Sequence, residues 1–378
     1  SIHGYSAGDG ASGVIAHGHT TISNSKNAKI YAESNISSIG IGSYSFGNLL
    51  ITNYGSIYGS VSEPVINTYA FAGAISIARY TLEENYTTKI HNSGIISASG
   101  TNRTNAISNN YNVIESLENY QLGKIYTSNS NWSDTIHNDR YGIIKSIINS
   151  GEISTEVNIS GEGIFNSGIT ENIENYGTIS ASLIPIKSDI YELYEDKGLT
   201  AGIINIGEIN HINNYGTITG ETYWTIGNSG AIELIRNYGQ LEGAGGIGND
   251  AIINIIENSG SIIATDEPLP GEGAAIGSVG VIGTIVNTNT ITSNKQYGIG
   301  NGGQIENIIN SGIINADEGD GIANRIGTYY GTPFAGQIET INNRSTGVIT
   351  GYLDGITNSH QIGTIANQGK IFGLTEFG

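Results

Sequence analysis

The stretch Ile256-Glu-Asn-Ser-Gly-Ser-Ile262 decides the fold, because its plan, Ile-x-Asn-(Tyr/Ser)-Gly-x-Ile, returns along the whole chain. Further clear copies run Ile51 to Ile57, Ile90 to Ile96, Ile147 to Ile153, Ile173 to Ile179, Ile212 to Ile218 and Ile365 to Ile371. With variant and weaker copies included, the motif Asn stands at thirteen positions: Asn24, Asn53, Asn92, Asn119, Asn149, Asn175, Asn214, Asn237, Asn258, Asn287, Asn310, Asn343 and Asn367. The shortest interval between two of them is 21 residues.

The shortest repeat, from Asn237 to Asn258, is too short for most repeat architectures. Its apolar residues Leu241, Ile247 and Ile253 are separated by Gly and Asn, which indicates three short strands with bends between them. Glycine at this density costs about 1 kcal/mol per position in a helix, and a propeller blade needs roughly 40 residues. The sequence therefore predicts an all-β chain, a right-handed parallel β-helix (solenoid) of about thirteen three-sided coils stacked about 4.8 Å apart, in one domain spanning 1–378.

Each motif residue has a place in such a coil. Ile256 and Asn258 are two residues apart, so both point to the same side of a strand, toward the core. Stacked coils then place Asn above Asn, where side-chain amides can hydrogen-bond from coil to coil. Gly260 is expected to turn the chain with a positive φ. A second phrase, Gly-Ile-x-Asn, predicts another corner at Gly163–Asn166, Gly246–Asn249, Gly298–Asn301, Gly321–Asn324 and Gly355–Asn358.

Composition excludes several classes of function. The chain has 55 Gly and no Cys, so disulfides, thiolate metal sites and a cysteine nucleophile are all excluded. Its formal net charge of −19 argues against nucleic acid as a partner. The same charge predicts a monomer at low salt and weak self-association at higher ionic strength, where repulsion is screened. The chain also has no Met, which suggests a processed product or an excerpt from a longer protein.

The repeats Ile173-Glu-Asn-Tyr-Gly-Thr-Ile179 and Ile212-Asn-Asn-Tyr-Gly-Thr-Ile218 resemble the passenger regions of Gram-negative autotransporters, the type V secreted proteins. The resemblance covers nearly the whole chain. It implies an extracellular β-helical passenger, on the bacterial surface or secreted, and usually an adhesin or a toxin. The outer-membrane translocator barrel of that family is not in this sequence and is expected in the parent protein.

Repeats longer than 21 residues predict loops that leave the stack, near 58–88, 126–143, 181–201 and 315–337. Aromatic residues concentrate in these excursions, and aromatic loops on a polar scaffold are typical of recognition surfaces. The alternative is that these side chains fold back over exposed Ile. Within the 181–201 excursion, Ser188–Gly198 predicts a short capped helix. The candidate binding residues are Trp132, Tyr141, Tyr191, Tyr194, Tyr329, Tyr330 and Phe334.

Four short motifs have both a chemical and a structural interpretation. Asp317, Glu318 and Asp320 form a candidate calcium loop, the one cofactor that the sequence suggests, although a solvated acidic loop explains them as well. His17 and His19 are a candidate metal pair or a solvated turn. Gly4–Gly8 matches a nucleophile elbow that centres on Ser6, but no helix is expected after it. Gly298–Gly303 fits a dinucleotide fingerprint and is interpreted as a bend.

These observations favour an adhesin that binds a host receptor, a glycan or another bacterial surface protein through loops on a rigid stalk. One alternative is the receptor-binding part of a secreted, vacuolating-type toxin. A second alternative is a polysaccharide-degrading β-helix enzyme, which would need carboxylates on neighbouring coils beside Arg or Lys. Acids do recur near the motif, but they occupy variable strand positions that solvation explains. We therefore expect no enzyme activity.

Overall fold

The computed structural model describes residues 2–6, 10–43, 47–61, 71–78, 86–100, 102–184, 198–265, 273–329 and 331–375. Two compact units divide the chain, Ser1–Glu208 and Ile209–Gly378. Each unit is a stack of β-coils, and the described residues contain no helix. The chain is thus an all-β parallel β-helix, as the repeat predicts. The predicted helix at Ser188–Gly198 lies almost wholly outside the described residues.

The strands of the first unit are short, and most end at a polar corner residue. In chain order they are β1 (Ile2–Ser6), β2 (Ala11–Ala16), β3 (Thr20–Asn24), β4 (Lys29–Ser34), β5 (Ser37–Ser43), β6 (Leu49–Asn53), β7 (Ser56–Val61), β8 (Phe71–Ala78), β9 (Thr87–Asn92), β10 (Ile95–Ser99), β11 (Arg103–Asn110), β12 (Val113–Asn119), β13 (Lys124–Asn138), β14 (Ile143–Asn149), β15 (Glu152–Asn166), β16 (Ile169–Asn175), β17 (Thr178–Leu183) and β18 (Thr200–Asn205).

The second unit repeats the plan. Its strands are β19 (Glu208–Asn214), β20 (Thr217–Asn228), β21 (Ala231–Asn237), β22 (Gln240–Asn249), β23 (Ile252–Asn258), β24 (Ser261–Ala264), β25 (Ala274–Ser278), β26 (Val281–Asn287), β27 (Thr290–Ser293), β28 (Tyr297–Asn301), β29 (Gln304–Asn310), β30 (Ile313–Ala316), β31 (Asp320–Asn324), β32 (Ile326–Tyr329), β33 (Thr332–Ala335), β34 (Gln337–Asn343), β35 (Val348–Gly351), β36 (Ile356–Asn358), β37 (Gln361–Asn367) and β38 (Lys370–Gly373).

A coil has three faces. The first-face strand ends at the motif Asn, the second-face strand follows the motif Gly, and the third-face strand ends at the second corner. Among the described residues, thirteen strands end at a motif Asn, which confirms the predicted number of coils. They are β3, β6, β9, β12, β14 and β16, followed by β19, β21, β23, β26, β29, β34 and β37. Equivalent strands pair in parallel and in register, for example Ile51 with Ile90 and Asn53 with Asn92.

The core is built from columns of Ile. On the second face of the first unit, Ile57, Ile96, Ile125, Ile153 and Ile179 occupy one register position and are fully buried. A β-branched side chain has a restricted χ1 and packs well on a pleated surface, so identical residues stack without voids. Burial of each such side chain contributes roughly 1.5–3 kcal/mol.

The motif asparagines form the predicted ladder. In the first unit, Asn53 Nδ2 donates to Asn92 Oδ1 at 2.8 Å, and the same 2.8 Å bond recurs for every neighbouring pair from Asn24 to Asn175. In the second unit, the rungs from Asn214 to Asn367 are 2.8–2.9 Å long. Each amide also reaches corner carbonyls, as Asn53 does to Ile95 at 2.9 Å. The ladder therefore satisfies polar groups that would otherwise be buried without partners.

A second ladder runs along the other predicted corner. Asn138 donates to Asn166 at 2.7 Å in the first unit, and Asn301 donates to Asn324 at 2.9 Å in the second. All five predicted Gly-Ile-x-Asn corners end third-face strands, at Asn166, Asn249, Asn301, Asn324 and Asn358. The interpretation of Gly298–Gly303 as a bend is confirmed, because β28 ends at Asn301 and the chain bends at the next two residues.

The expected positive φ at Gly260 is wrong. Within the described ranges, the glycines with a left-handed φ are Gly18 and Gly331. Gly260 is needed for a different reason: a Cβ there would overlap the backbone carbonyl oxygen of Gly239 in the preceding coil. The same overlap with the glycine one coil back would arise at Gly94 and Gly177. The corner glycine thus permits close approach of successive backbones rather than an unusual turn.

The predicted excursions have different outcomes. Residues 126–138 do not leave the stack, because β13 pairs with β10 up to Ser128, with β11 from Trp132 onward, and with β15 on its other side. The 315–337 excursion reduces to an antiparallel hairpin, β32 with β33. In the 58–88 region, β8 belongs to the third face, while 62–70 and 79–85 lie outside the described residues. Most of 181–201 lies outside them as well.

Candidate functional site

A hollow of about 440 Å³ opens on the third face of the first unit, and we call it the Trp132 cavity. Its lining residues are Asn102, Arg103, Trp132, Ser133, Asp134, Ser160, Glu162 and Phe165. They come from β11, β13 and β15 and the residue before β11, so three consecutive coils build the cavity. Strand-borne residues hold their positions more rigidly than residues on loops, which suits a binding site.

Parallel register aligns the cavity's side chains in rows across the coils. One row is Arg103, Trp132 and Ser160; the next is Asn105, Asp134 and Glu162; a third is Ser108, His137 and Phe165. Residues about 28 positions apart in the sequence therefore become direct neighbours. The Trp132 side chain is 44% exposed, so much of the indole faces solvent at this surface.

Two neighbouring carboxyl groups, those of Asp134 and Glu162, lie in the cavity. Asp134 is only 8% exposed, and its Oδ2 accepts a hydrogen bond of 2.7 Å from His137 Nδ1. The His137 ring stacks on Phe165 with centroids 5.0 Å apart, which fixes its orientation. Glu162, one coil further along, occupies the register-matched position beside Asp134.

The two carboxyl groups have opposite pKa shifts. Burial raises the pKa of Glu162 well above its ordinary value, and the adjacent Asp134 carboxylate raises it further. Burial also acts to raise the pKa of Asp134, but hydrogen bonds from Glu162 and His137, with the positive charge of Arg103, bring it below its ordinary value. Glu162 therefore keeps its proton over a pH range in which Asp134 is ionised.

Arg103 supplies the positive charge of the cavity. Its guanidinium is exposed and forms no ion pair with any described residue. The neighbouring Asn105 is 3% exposed, and its Oδ1 has no hydrogen-bond partner within the described part of the chain. An exposed donor, a carboxyl pair and an open indole together can hydrogen-bond and stack against a polar ring.

A second hollow of about 250 Å³ lies in the second unit, and we call it the Phe334 cavity. Its walls include three aromatic side chains, Trp224, Tyr297 and Phe334. The Arg325 guanidinium lies 4.9 Å from the centre of the Tyr297 ring, a cation–π distance. Phe334 comes from β33, so the hairpin forms one wall.

Exposed tyrosines stack along other parts of the surface. Tyr141 is 45% exposed and lies 4.6 Å from Tyr111 on the neighbouring coil, measured between ring centroids. Tyr215 and Tyr238, which follow the motif Asn in consecutive repeats, stack at 4.9 Å. These rings are therefore partly exposed at the surface of the stack.

The three predicted aromatic residues whose side chains the structure describes do not share one cavity. Trp132 lines one cavity and Phe334 the other, while Tyr141 lines neither. Tyr191, Tyr194, Tyr330 and the side chain of Tyr329 lie outside the described residues. Sequence reasoning missed Arg103, Asp134 and Glu162. Their spacing could have indicated them, because Asp134 and Glu162 are 28 residues apart, about the length of one repeat.

The candidate metal residues have other partners. Asp317 Oδ1 accepts from Asn315 Nδ2 at 2.6 Å, Glu318 pairs with Lys295 at 3.1 Å, and buried Asp320 bonds the backbone of Asp354. His19 Nδ1 accepts from the backbone amide of Asn48. Across the described ranges, no group of three or more His, Cys, Asp or Glu side chains is placed to hold a metal ion. The Ser6 side chain lies outside those ranges.

Comparison with known proteins gives no match to this chain among family models, curated proteins or solved structures. What the sequence and the structure define is the class, a parallel β-solenoid protein. In the part of the chain that the structure describes, there is no helix long and apolar enough to cross a membrane.

Proposed function

We propose that this protein is an extracellular adhesin that binds saccharides of a cell surface through the Trp132 cavity. The observation that carries the proposal is the exposed Trp132 indole beside Arg103 and above the Asp134–Glu162 pair. An indole face stacks on the apolar face of a sugar ring, while carboxyl, guanidinium and amide groups bond its hydroxyls. This mode of binding needs no loop. The proposed binding surface is therefore the third face of the coils, and not the excursions that the sequence favoured.

The repeats and the absence of Cys support the proposal of an autotransporter-type passenger. The resemblance of the repeats to such passengers implies export, and a chain without Cys can fold in an oxidising compartment with no disulfide to form. The repeated coils make a rigid scaffold for a binding site. Bacterial cell surface or secretion is therefore the proposed location, and a host or bacterial glycan is the proposed partner.

A glycan array tests the proposal directly. The purified chain and its Trp132→Ala variant are compared with Tyr54→Ala, which removes an exposed aromatic ring that lines neither cavity. We expect specific glycans to be bound, at least tenfold loss of affinity with Trp132→Ala, and no change with Tyr54→Ala. Absence of any glycan ligand, or equal binding by Trp132→Ala, would refute the proposal. Binding of a protein receptor alone at this cavity would also refute the saccharide proposal.

A second candidate function is polysaccharide cleavage. It is favoured by the Asp134–Glu162 pair, since such an enzyme needs carboxyl groups on neighbouring coils beside a cation. Glu162 would protonate the glycosidic oxygen, and Asp134 would take a proton from the water that attacks the anomeric carbon. However, Asp134 is only 8% exposed and already accepts a hydrogen bond from His137, whereas an inverting glycosidase leaves room for a water beside its base. Binding is therefore the proposal.

The two candidates differ in one measurement. Polysaccharides that the array identifies are incubated with the protein, and new reducing ends are counted. Cleavage that is lost in Glu162→Gln while binding persists would establish an enzyme. Binding without cleavage by the parent chain would leave the adhesin.

A further inference from the structure

The Phe334 cavity owes its shape to a column of glycines on the third face of the second unit. Gly227, Gly248, Gly277 and Gly300 occupy the same register position in successive strands β20, β22, β25 and β28. Their lack of side chains leaves a trough along the surface of the stack. Four glycines at one register position are not needed for the β-helical fold, because other residues occupy the equivalent position in the first unit, including Ser108, His137 and Phe165.

The indole of Trp224 fills one part of this trough. A Cβ on Gly277 would lie 2.6 Å from Trp224 Cη2, and a Cβ on Gly248 would overlap the indole even more closely. The ring therefore lies directly on the glycine backbone and is only 7% exposed. Trp224 is thus held firmly in place, and it lines the cavity.

The Phe334 ring covers a different glycine, Gly302, which follows the end of β28. A Cβ on Gly302 would lie 2.6 Å from Phe334 Cδ2, so this ring also lies on a glycine. Gly300, by contrast, is not covered by either ring: the atom nearest to a Cβ built there is Tyr297 Cδ2, at 3.2 Å. Gly300 therefore forms part of the cavity floor beside the Tyr297 ring, and Trp224 and Phe334 both line the cavity of about 250 Å³ around it.

We infer that the slot over Gly300 binds a single pyranose ring of a saccharide, with Trp224 and Phe334 against its apolar surfaces. The groups around the slot are polar: Asp250, Arg325 and Thr328 also line it. These groups can bond the hydroxyls at the edge of a sugar ring, whereas a wholly apolar ligand would desolvate them without replacement. This site is built from residues of the second unit alone and does not depend on the Trp132 cavity.

The composition of the chain provides a selective reporter. Its two tryptophans, Trp132 and Trp224, belong to different cavities. In the Trp132→Phe variant, all tryptophan emission comes from Trp224. We would titrate this variant with glucose, galactose, mannose, N-acetylglucosamine and the corresponding disaccharides. A saturable change in emission is expected with at least one of them.

Filling the floor supplies the decisive comparison. Gly300→Val, made in the Trp132→Phe background, places a side chain in the slot and should weaken binding at least tenfold. The control is Gly10→Val, which makes the same substitution in the first unit, where a Cβ meets no atom closer than 3.6 Å. Phe334→Ala should weaken binding as well and alters only the hairpin wall. Far-ultraviolet circular dichroism verifies that each variant is folded.

The outcomes are distinct. No saturable response to any of these sugars in folded Trp132→Phe would overturn the inference, and so would equal affinity in Gly300→Val. Failure of the Trp132 cavity to bind glycans, with a Trp224 response retained, would remove the proposed function and leave this site standing.

Discussion

His137 Nδ1 lies 2.7 Å from Asp134 Oδ2, and the coil that follows places Glu162 in register with Asp134. Asp134 therefore has polar neighbours on two sides, a ring on its own strand that hydrogen-bonds it and a carboxyl group on the next strand. The parallel register makes this possible because it superimposes equivalent positions of successive repeats. A network of this kind is costly if any member loses its partner.

The first prediction concerns Glu162→Gln. Because the folded state raises the pKa of Glu162, the folded state holds a proton that the unfolded chain releases, and stability falls as pH rises above the unfolded pKa. A difference of one unit between the folded and unfolded pKa corresponds to about 1.4 kcal/mol of stability. A glutamine keeps a donor to Asp134 and does not titrate, so the variant should gain stability relative to the parent as pH rises from about 4 to 8.

Urea unfolding at pH 4 and pH 8 measures this difference. Asp134→Asn serves as the control, because the pKa of Asp134 is lowered and its contribution is present above its unfolded pKa and lost in acid. The Asp134→Asn substitution should therefore destabilise most at neutral pH and least in acid, the reverse of the pH trend of Glu162→Gln. If the stability changes of the two variants followed the same trend with pH, the opposite pKa shifts of Glu162 and Asp134 would be contradicted.

Much of the fold followed from the sequence because the repeat is local. All thirteen motif asparagines end first-face strands, since Ile and Asn two residues apart must share the inward side of a strand. The second corner is only partly predicted: in the corners that end at Asn109 and Asn138, Ala106 and Thr135 stand where the phrase has its first Gly. Residues other than Gly are therefore tolerated at that position, and the phrase Gly-Ile-x-Asn misses some corners of the second ladder.

Other features could not be predicted from the sequence. The long repeat interval predicts a loop at 126–143, but the surplus residues lengthen the strands instead, and β13 and β15 each run for 15 residues. The cavity residues Arg103, Asp134 and Glu162 come together only through the register of whole coils. No local pattern distinguishes these acids from the solvated ones on other strands.

A second prediction tests the asparagine ladder. Asn258 both accepts from Asn237 and donates to Asn287 and to the Thr290 carbonyl, so Asn258→Ala removes two rungs of the ladder and leaves the buried Asn287 Oδ1 without its donor. An unsatisfied buried group costs about 1–3 kcal/mol, and we expect a loss of about 3 kcal/mol in the free energy of unfolding. Asn367→Ala is the matched control, because Asn367 is exposed and accepts from Asn343 and from the backbone amide of Gly369 at the last described rung of the ladder. Similar losses for the two variants, measured in guanidinium, would show that the ladder contributes little.

A third prediction separates two roles of glycine. Gly260→Ala should destabilise by about 3 kcal/mol, because its Cβ would overlap the backbone of Gly239, which cannot move without shifting the stack. Gly18→Ala has a φ of 70° but no atom within 4 Å of its Cβ, so its cost should stay near 1 kcal/mol, the conformational penalty alone. Thermal unfolding of both variants decides the point, and a larger loss for Gly18→Ala would reverse the interpretation.

The last prediction uses the contrast between the two indoles. Trp132 is 44% exposed and Trp224 is 7% exposed, so a neutral quencher such as acrylamide should reach one ring far more easily than the other. Trp224→Phe, in which only Trp132 emits, should be quenched several times more strongly than Trp132→Phe and should emit at longer wavelength. A glycan that binds in the Trp132 cavity should protect the emission of Trp224→Phe from acrylamide, because the sugar would cover the exposed indole face. Equal quenching of the two variants, or no protection by a bound glycan, would contradict the placement of these rings.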